Sequence, residues 1–172
     1  MKVPKLKIST EDLHIAPLSV GEAADVAEMT DAEARARLDF LPDDFGPAEA
    51  QALLAAMHDR HMFHGVRRRD NGALIGVIGV HADAGMRLEI GYWFAAAVRG
   101  QGVAFQAVSQ MVAQLVALCP GAQIEAECAP HNVKSWALLR RLGFQPMGLD
   151  GKRAGRRLLR FHAHAAQRID VC

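Results

Sequence analysis

Six consecutive residues, Arg99-Gly100-Gln101-Gly102-Val103-Ala104, have the types and spacing to hold a phosphate-bearing cofactor. Gly100 and Gly102 let the backbone approach a ligand closely. A helix beginning behind them leaves amide N–H groups unpaired at the positive end of its dipole. The flanks fit this picture: Gly91, Tyr92, Trp93 and Phe94 favour extended structure, whereas Ala104, Ala107, Val108, Met111, Val112, Leu115 and Val116 fall at helical spacing. Strand, glycine turn and helix in that order make a pyrophosphate cradle. A dinucleotide fold is disfavoured, because the third glycine of G-x-G-x-x-G is replaced by Phe105, which blocks close packing of helix on strand. No Walker string occurs either. The plain alternative is a strand-to-helix turn with packing glycines.

A second group of residues lies downstream. Asn132 is placed as an N-cap, with Trp136, Leu139 and Leu142 at helical spacing until Gly143, and Arg140 and Arg141 at the negative end. Ser135 falls in the first turn of that helix. Ahead of it, residues 123–129 alternate Ile124, Ala126 and Cys128 with Glu125 and Glu127, which predicts a strand ending at Pro130. Glu89 stands on the strand before the glycine turn. His61 with His64, and His162 with His164, offer too few ligands for a metal, and Cys119, Cys128 and Cys172 have no CxxC spacing. No metal site and no disulfide framework are expected.

The elements that position these groups can be taken in order. Residues 1–10 read as a loose arm, 11–165 as one domain and 166–172 as a tail. A first strand runs through Leu13, Ile15 and Pro17, Ser19 and Glu22 make a capping box, and Pro47 opens a helix carrying Leu53, Leu54 and Met57. Asp70-Asn71-Gly72 marks a hairpin between strands over 61–69 and 73–81. A third strand, 86–94, completes a meander. Residues 144–149 and 158–164 form a last hairpin, whose tip carries Lys152, Arg153, Arg156 and Arg157, read as a solvated turn or as contacts to an acidic substrate or phosphate.

Composition sets the outer bounds. The 172 residues include 51% apolar types, enough for a substantial core, and the net charge is +1 from 20 basic and 19 acidic residues. Such balance gives no field toward nucleic acid or an anionic membrane, so neither partner is expected. No apolar run approaches a membrane span, and the lysines of the first ten residues precede no apolar signal core. A cytoplasmic protein with free thiols is the expectation.

Arg99, Gly102 and Ala104 fit the order Arg or Gln, two residues, Gly, one residue, Gly or Ala. The loop thereby resembles the acetyl-CoA pyrophosphate loop of the GNAT superfamily of N-acetyltransferases. The preceding IGYW is similar to the branch that acetylates serine or alanine N-termini of ribosomal proteins, and residues 129–144, APHNVKSWALLRRLGF, resemble the superfamily's second hallmark. The likeness covers Leu74 to the end. It implies an α/β (α+β) fold: a mixed, mostly antiparallel sheet flanked by helices and splayed between the fourth and fifth strands, at Gly91 and Ala126, with acetyl-CoA in the splay. Phe94, Arg99, Gly100, Gln101, Gly102, Val103, Ala104 and Asn132 are the cofactor-binding residues so implied.

Direct transfer from acetyl-CoA to an amine is expected, with a backbone amide near Phe94 facing the oxyanion. The superfamily's usual donor tyrosine, seven residues after the Asn, is Leu139 here. Ser135, fourth in N-x-x-S, is the candidate proton donor, and its plain role is a capping hydroxyl. Glu89 and Glu127 are candidate bases. His61 and His64 are expected along the acceptor groove. A lysine of pKa about 10.4 is neutral in roughly one molecule of two thousand at pH 7, an α-amine near 7.7 to 8.0 in roughly one of ten. That favours the α-amine of a peptide or protein. A small amine acceptor, or a catalytically silent acetyl-CoA sensor, is the alternative, and relatives' habits add a possible homodimer.

Overall fold

The computed structural model describes residues 1–163. His164 and the expected tail at 166–172 lie outside them. Eight strands, β1 (Ile8–Ser9), β2 (Leu13–Pro17), β3 (His61–Arg68), β4 (Leu74–Ala82), β5 (Arg87–Phe94), β6 (Gln123–Cys128), β7 (Phe144–Asp150) and β8 (Arg157–Phe161), make one sheet in the order β1-β2-β3-β4-β5-β6-β8-β7. Five helices, α1 (Ala23–Met29), α2 (Ala32–Arg35), α3 (Pro47–Ala55), α4 (Val103–Leu118) and α5 (Val133–Arg141), cover its faces.

Local chemistry sets the punctuation. Glu22 accepts from the Ser19 amide at 2.7 Å, opening the short 3-10 turn that leads into α1. Pro47 sits at the first position of α3, and Glu49 reaches back to the Gly46 amide at 3.0 Å. Gly72 takes φ +73° in the β3–β4 hairpin, where Asn71 Oδ1 accepts from the Ala73 amide at 3.0 Å. Asn132 Oδ1 accepts from the Ser135 amide at 3.3 Å, which caps α5 as expected.

Every neighbouring pair of strands is antiparallel except β5 and β6. Their parallel register runs Arg87↔Gln123, Leu88↔Ile124, Glu89↔Glu125, Ile90↔Ala126 and then stops. Beyond that point β5 is held only by β4, through pairs as far as Gly76↔Phe94, and β6 only by β8, through Cys128↔Arg157. The sheet therefore opens at Gly91 and Ala126, where the splay was expected. It falls between the fifth and sixth strands because β1 adds one.

The first ten residues correct the reading of a loose arm. Ile8 pairs with Ile15, the Val3 amide donates to the Asp59 carbonyl at 2.7 Å, and Val3, Leu6 and Ile8 are buried. They join the core beneath α4, where Val108, Met111 and Leu115 pack with Leu88, Ile90 and Ile124. On the other face α1 and α3 bury Val26 and Leu54 against Phe63, Val77 and Trp93. Thr30 locks that face: its hydroxyl donates to the Val26 carbonyl at 2.6 Å and accepts from Trp93 Nε1 at 3.0 Å. Among the described residues no helix is long and apolar enough to cross a membrane.

A docked arm has a measurable weight. Leu6→Ala and Ile8→Ala should each lower unfolding stability by about 2–5 kcal/mol, the cost of a large-to-small change in a core. A denaturant midpoint unchanged in both variants would contradict the packing.

Candidate active site

A cavity of about 590 Å³ follows the splay. Its floor is the free edge of β5 and β6, and one end is the loop into α4. Gly100 and Gly102 take φ +78° and +80°, and a Cβ on either would meet nothing within 4 Å. Glycine is thus demanded by the left-handed backbone, not by crowding. Gly102 is the N-cap of α4 and has no side chain to cap it, so the amides of Val103, Ala104 and Phe105 lack intrahelical partners at the end of the cavity that Ala104 and Phe105 line.

Most of the expected cofactor residues meet here. Phe94, Arg99, Gly100, Gly102, Ala104 and Asn132 border the cavity, whereas Gln101 and Val103 do not. The Gln101 amide turns back to the Ala97 carbonyl at 2.6 Å. Arg99 is already engaged: Nε donates to the Phe94 carbonyl at 3.0 Å, and the guanidinium bonds Asp31 at 2.7 and 2.8 Å and Glu33 at 3.0 Å. Its side chain ties the loop to α2, leaving its backbone for a ligand. The cation standing over the loop is Arg141, whose guanidinium lies 4.0 Å from the centre of the Phe105 ring. Arg141 has no carboxylate partner among the described residues.

Ser135 also borders the cavity, and it is not alone. The hydroxyl of Tyr92 lies 2.9 Å from Ser135 Oγ. Burial pushes the Tyr92 hydroxyl well above its ordinary pKa, against a smaller downward pull from Ser135, so it keeps its proton. Sequence reasoning passed over Tyr92 because it stands outside the position seven residues after Asn132. The signal was the alternation of Leu88, Ile90, Tyr92 and Phe94, which turns the ring toward α5. Cys128 is buried nearby, its thiol directed at the carbonyls of Ala129 (3.5 Å) and Asn132 (3.9 Å). Burial raises the Cys128 pKa, which suits a spectator and not a thiolate nucleophile.

Glu89 and Glu127 both reach the cavity, and both are bound to one guanidinium. Arg153 Nη1 donates to Glu89 at 2.7 Å and to Glu127 at 3.0 Å. Lys152 adds its ammonium to Glu89 at 3.0 Å and its backbone amide to Glu127 at 2.6 Å. Burial pushes the Glu89 carboxyl upward, but Arg153 and Lys152 outweigh it and hold the pKa below the ordinary value. The Glu127 side chain is 1% exposed. The basic run at the last hairpin is thus divided: Arg153 is tied to Glu89 and Glu127 and Arg156 to Asp39 at 3.0 Å and the Arg37 carbonyl at 2.8 Å, whereas the Lys152 and Arg157 side chains stay largely in solvent.

The histidines fall differently from expectation. His64 alternates onto the opposite face of β3, is 0% exposed and does not border the cavity. His61 faces the cavity side but stands behind it, its ring stacked at 4.2 Å on His81. The cavity wall is made by Phe63, His81 and Trp93. No group of three potential metal ligands occurs among the described residues.

Comparison with known proteins agrees with this arrangement. A family model described as an acetyltransferase (GNAT) domain matches residues 12–145. The ribosomal-protein-S5-alanine acetyltransferase of Vibrio fischeri superposes with a TM-score of 0.73 at 17% identity, over 90% of this chain and 95% of that one. An acetyltransferase (GNAT family) from Bacillus anthracis gives 0.74 at 19% identity, over 90% and 96%. The microcin C7 self immunity acetyltransferase MccE, solved with acetyl-CoA and AMP, gives 0.75 at 15% identity, over 88% and 92%. No curated protein sequence matches.

The Arg153 clamp makes a pH prediction. Because the folded pKa of Glu89 is depressed, its stabilisation is complete above the unfolded value, about 4.3, and is lost as pH falls through the folded one. Arg153→Met leaves Glu127 only its backbone amide donors and Glu89 only Lys152, and should cost about 2–3 kcal/mol at pH 7, less than a fully buried pair because Arg153 is about a third exposed. The loss should shrink as pH falls below about 4.3; a pH-independent loss in denaturant unfolding would refute the clamp.

Proposed function

As the chain belongs to the GNAT acetyltransferase family and takes acetyl-CoA as cosubstrate, we propose that it transfers the acetyl group directly to an α-amine of a peptide or protein. One observation carries the reading: a single cavity takes in the free edges of β5 and β6, the glycine loop and the Tyr92–Ser135 hydroxyl pair. Strand edges that part leave backbone groups unpaired, and the peptide-like pantetheine arm of CoA can pair with them. The unpaired amides of α4 and the guanidinium of Arg141 suit the pyrophosphate. Phe94, Gly100, Gly102, Ala104 and Asn132 border that path, and Arg99 fixes it through Asp31.

The chemistry then follows from the groups at hand. The amine attacks the thioester carbonyl, and a backbone amide near Phe94 stabilises the oxyanion by about 3 kcal/mol. Collapse releases the CoA thiolate, which takes a proton from Ser135, and the protonated Tyr92 hydroxyl resupplies Ser135 across 2.9 Å. The cysteine at hand, Cys128, is a buried thiol of raised pKa, which supports direct transfer without an acetyl-enzyme. An α-amine suits this site because Glu89 and Glu127 are occupied by Arg153, so the acceptor benefits from being neutral already. Gly91 gives it room: a Cβ there would meet nothing within 4 Å.

Thiol release from acetyl-CoA, measured against peptides beginning with Ser or Ala and against small amines, tests the proposal directly. Turnover of peptides is the expected outcome; turnover of small amines alone would replace the acceptor, and CoA binding without any release would leave a sensor. Gly102→Val should weaken CoA binding at least about tenfold, since it both strains the loop and fills the cradle. Ser135→Ala should lower kcat by about 100-fold with CoA affinity unchanged, and Tyr92→Phe by less, because Ser135 can still be reprotonated by water. Equal activity of Ser135→Ala and wild type would remove the donor assignment.

A further inference from the structure

The site as described lacks a group to take the proton that the amine loses. We propose that His81 is that group, its Nε2 accepting the proton from the attacking nitrogen, an inference that rests on the amine-acetylation reading above. Four observations converge on this residue. His81 borders the cavity. Its Nδ1 is buried without a hydrogen-bond partner, so the ring is not committed to a structural bond. A Cβ on Gly79 would stand 2.9 Å from His81 Nε2, so the glycine makes the space into which that nitrogen leans. Gly79 pairs with Gly91 across β4 and β5, beside the point where the sheet opens.

Over Gly79 the His81 and Phe63 rings fill the space, whereas over Gly91, its register partner, a Cβ would meet nothing within 4 Å. A nitrogen in that open space over Gly91 stands between the imidazole and the thioester path. The carboxylates, in contrast, are spent: Glu89 and Glu127 accept two charge-assisted bonds from Arg153 and further bonds from Lys152.

The charged groups facing His81 set its behaviour. His61 from β3 stacks on it at 4.2 Å, Glu89 from β5 is its register partner, and Lys152 and Arg153 approach from the last hairpin. Burial first, then His61, push the His81 pKa down to about 4, while Glu89 opposes them. The ring is therefore neutral at pH 7, and Glu89 is the anion that offsets an imidazolium formed in turnover. In the tautomer with hydrogen on Nδ1, Nε2 presents a lone pair to the cavity. Behind His81 the His61 ring is followed by His58 at 5.9 Å, which is exposed, so the histidine column leads from the cavity to water.

The step balances. The nitrogen lone pair forms the C–N bond, the carbonyl π pair moves to oxygen, and Nε2 takes the proton of the attacking nitrogen. Return of the oxygen pair breaks the C–S bond, and the thiolate leaves with its electrons to be protonated by Ser135. The imidazolium then gives its proton to water while the hydroxyl pair regains one.

Three variants test it in the thiol-release assay on the amine that wild type turns over best, with CoA titration as a control for the fold and the cofactor site. His81→Gln should keep CoA affinity within about twofold and lose about 100-fold in kcat/KM at pH 7. Gly79→Ala, which keeps the histidine but presses on its Nε2 and on the Phe63 ring beside it, should lower kcat/KM with the same unchanged CoA affinity. In His81→Ala, added imidazole should restore activity, and a series of substituted imidazoles should restore it in the order of their basicity, which a hole-filling role would not do. Wild-type kcat/KM in His81→Gln, or rescue indifferent to basicity, would overturn the assignment alone. No turnover of any amine by wild type would overturn both this assignment and the reading on which it rests.

Discussion

The interruption of the β5–β6 ladder after Ile90 and Ala126 is the constraint on which the rest of the molecule depends. An interrupted ladder is expensive, because each buried N–H or C=O left without a partner costs on the order of 1–3 kcal/mol. The sheet sustains it by anchoring the two strands elsewhere. β5 keeps β4 along its whole length to Phe94, and β6 keeps β8 to Cys128. The opening is thus a built feature of the sheet.

Two arginines hold the two sides of that opening. Arg99 joins the end of β5 to α2 through Asp31 and Glu33, and Arg153 joins β5 to β6 through Glu89 and Glu127. Each guanidinium spans elements that the backbone does not connect, and its planar array of donors suits two carboxylates at once. Arg153 ties by side chains, at the edge of the opening, the β5 and β6 that the backbone lets part. Gly151 belongs to the same device, since a Cβ there would stand 2.8 Å from Glu127 Cδ.

What could be read from the sequence was what depends on neighbours along the chain. The glycine loop, the Asn132 cap, the Asn71-Gly72 hairpin and the strand-to-helix change before Val103 are all local, and all are present. The arm was misread because Lys5 and Lys7, alternating with Leu6 and Ile8, look solvated, although the period of two was there and one face of it is buried. The histidines turned on parity: Phe63, on the cavity wall, is followed directly by His64 in the core, and nothing local tells which face of β3 will border the cavity. Tyr92 and Ser135 are 43 residues apart, and Arg156 and Asp39 are 117 apart. Such pairs exist only once the sheet order is set.

The hydroxyl pair has a further consequence. Its two members come from elements of unequal firmness. Tyr92 is on a strand paired along its length with β4, and Ser135 is in the first turn of the nine-residue helix α5, which buries Leu139 alone within its span. A short helix with one buried anchor opens more readily than a central strand. Warming or mild denaturant that frays α5 thus separates the hydroxyls while the sheet is still intact, so the pair has a lower thermal ceiling than the fold. That ceiling is set by the docking of one helix.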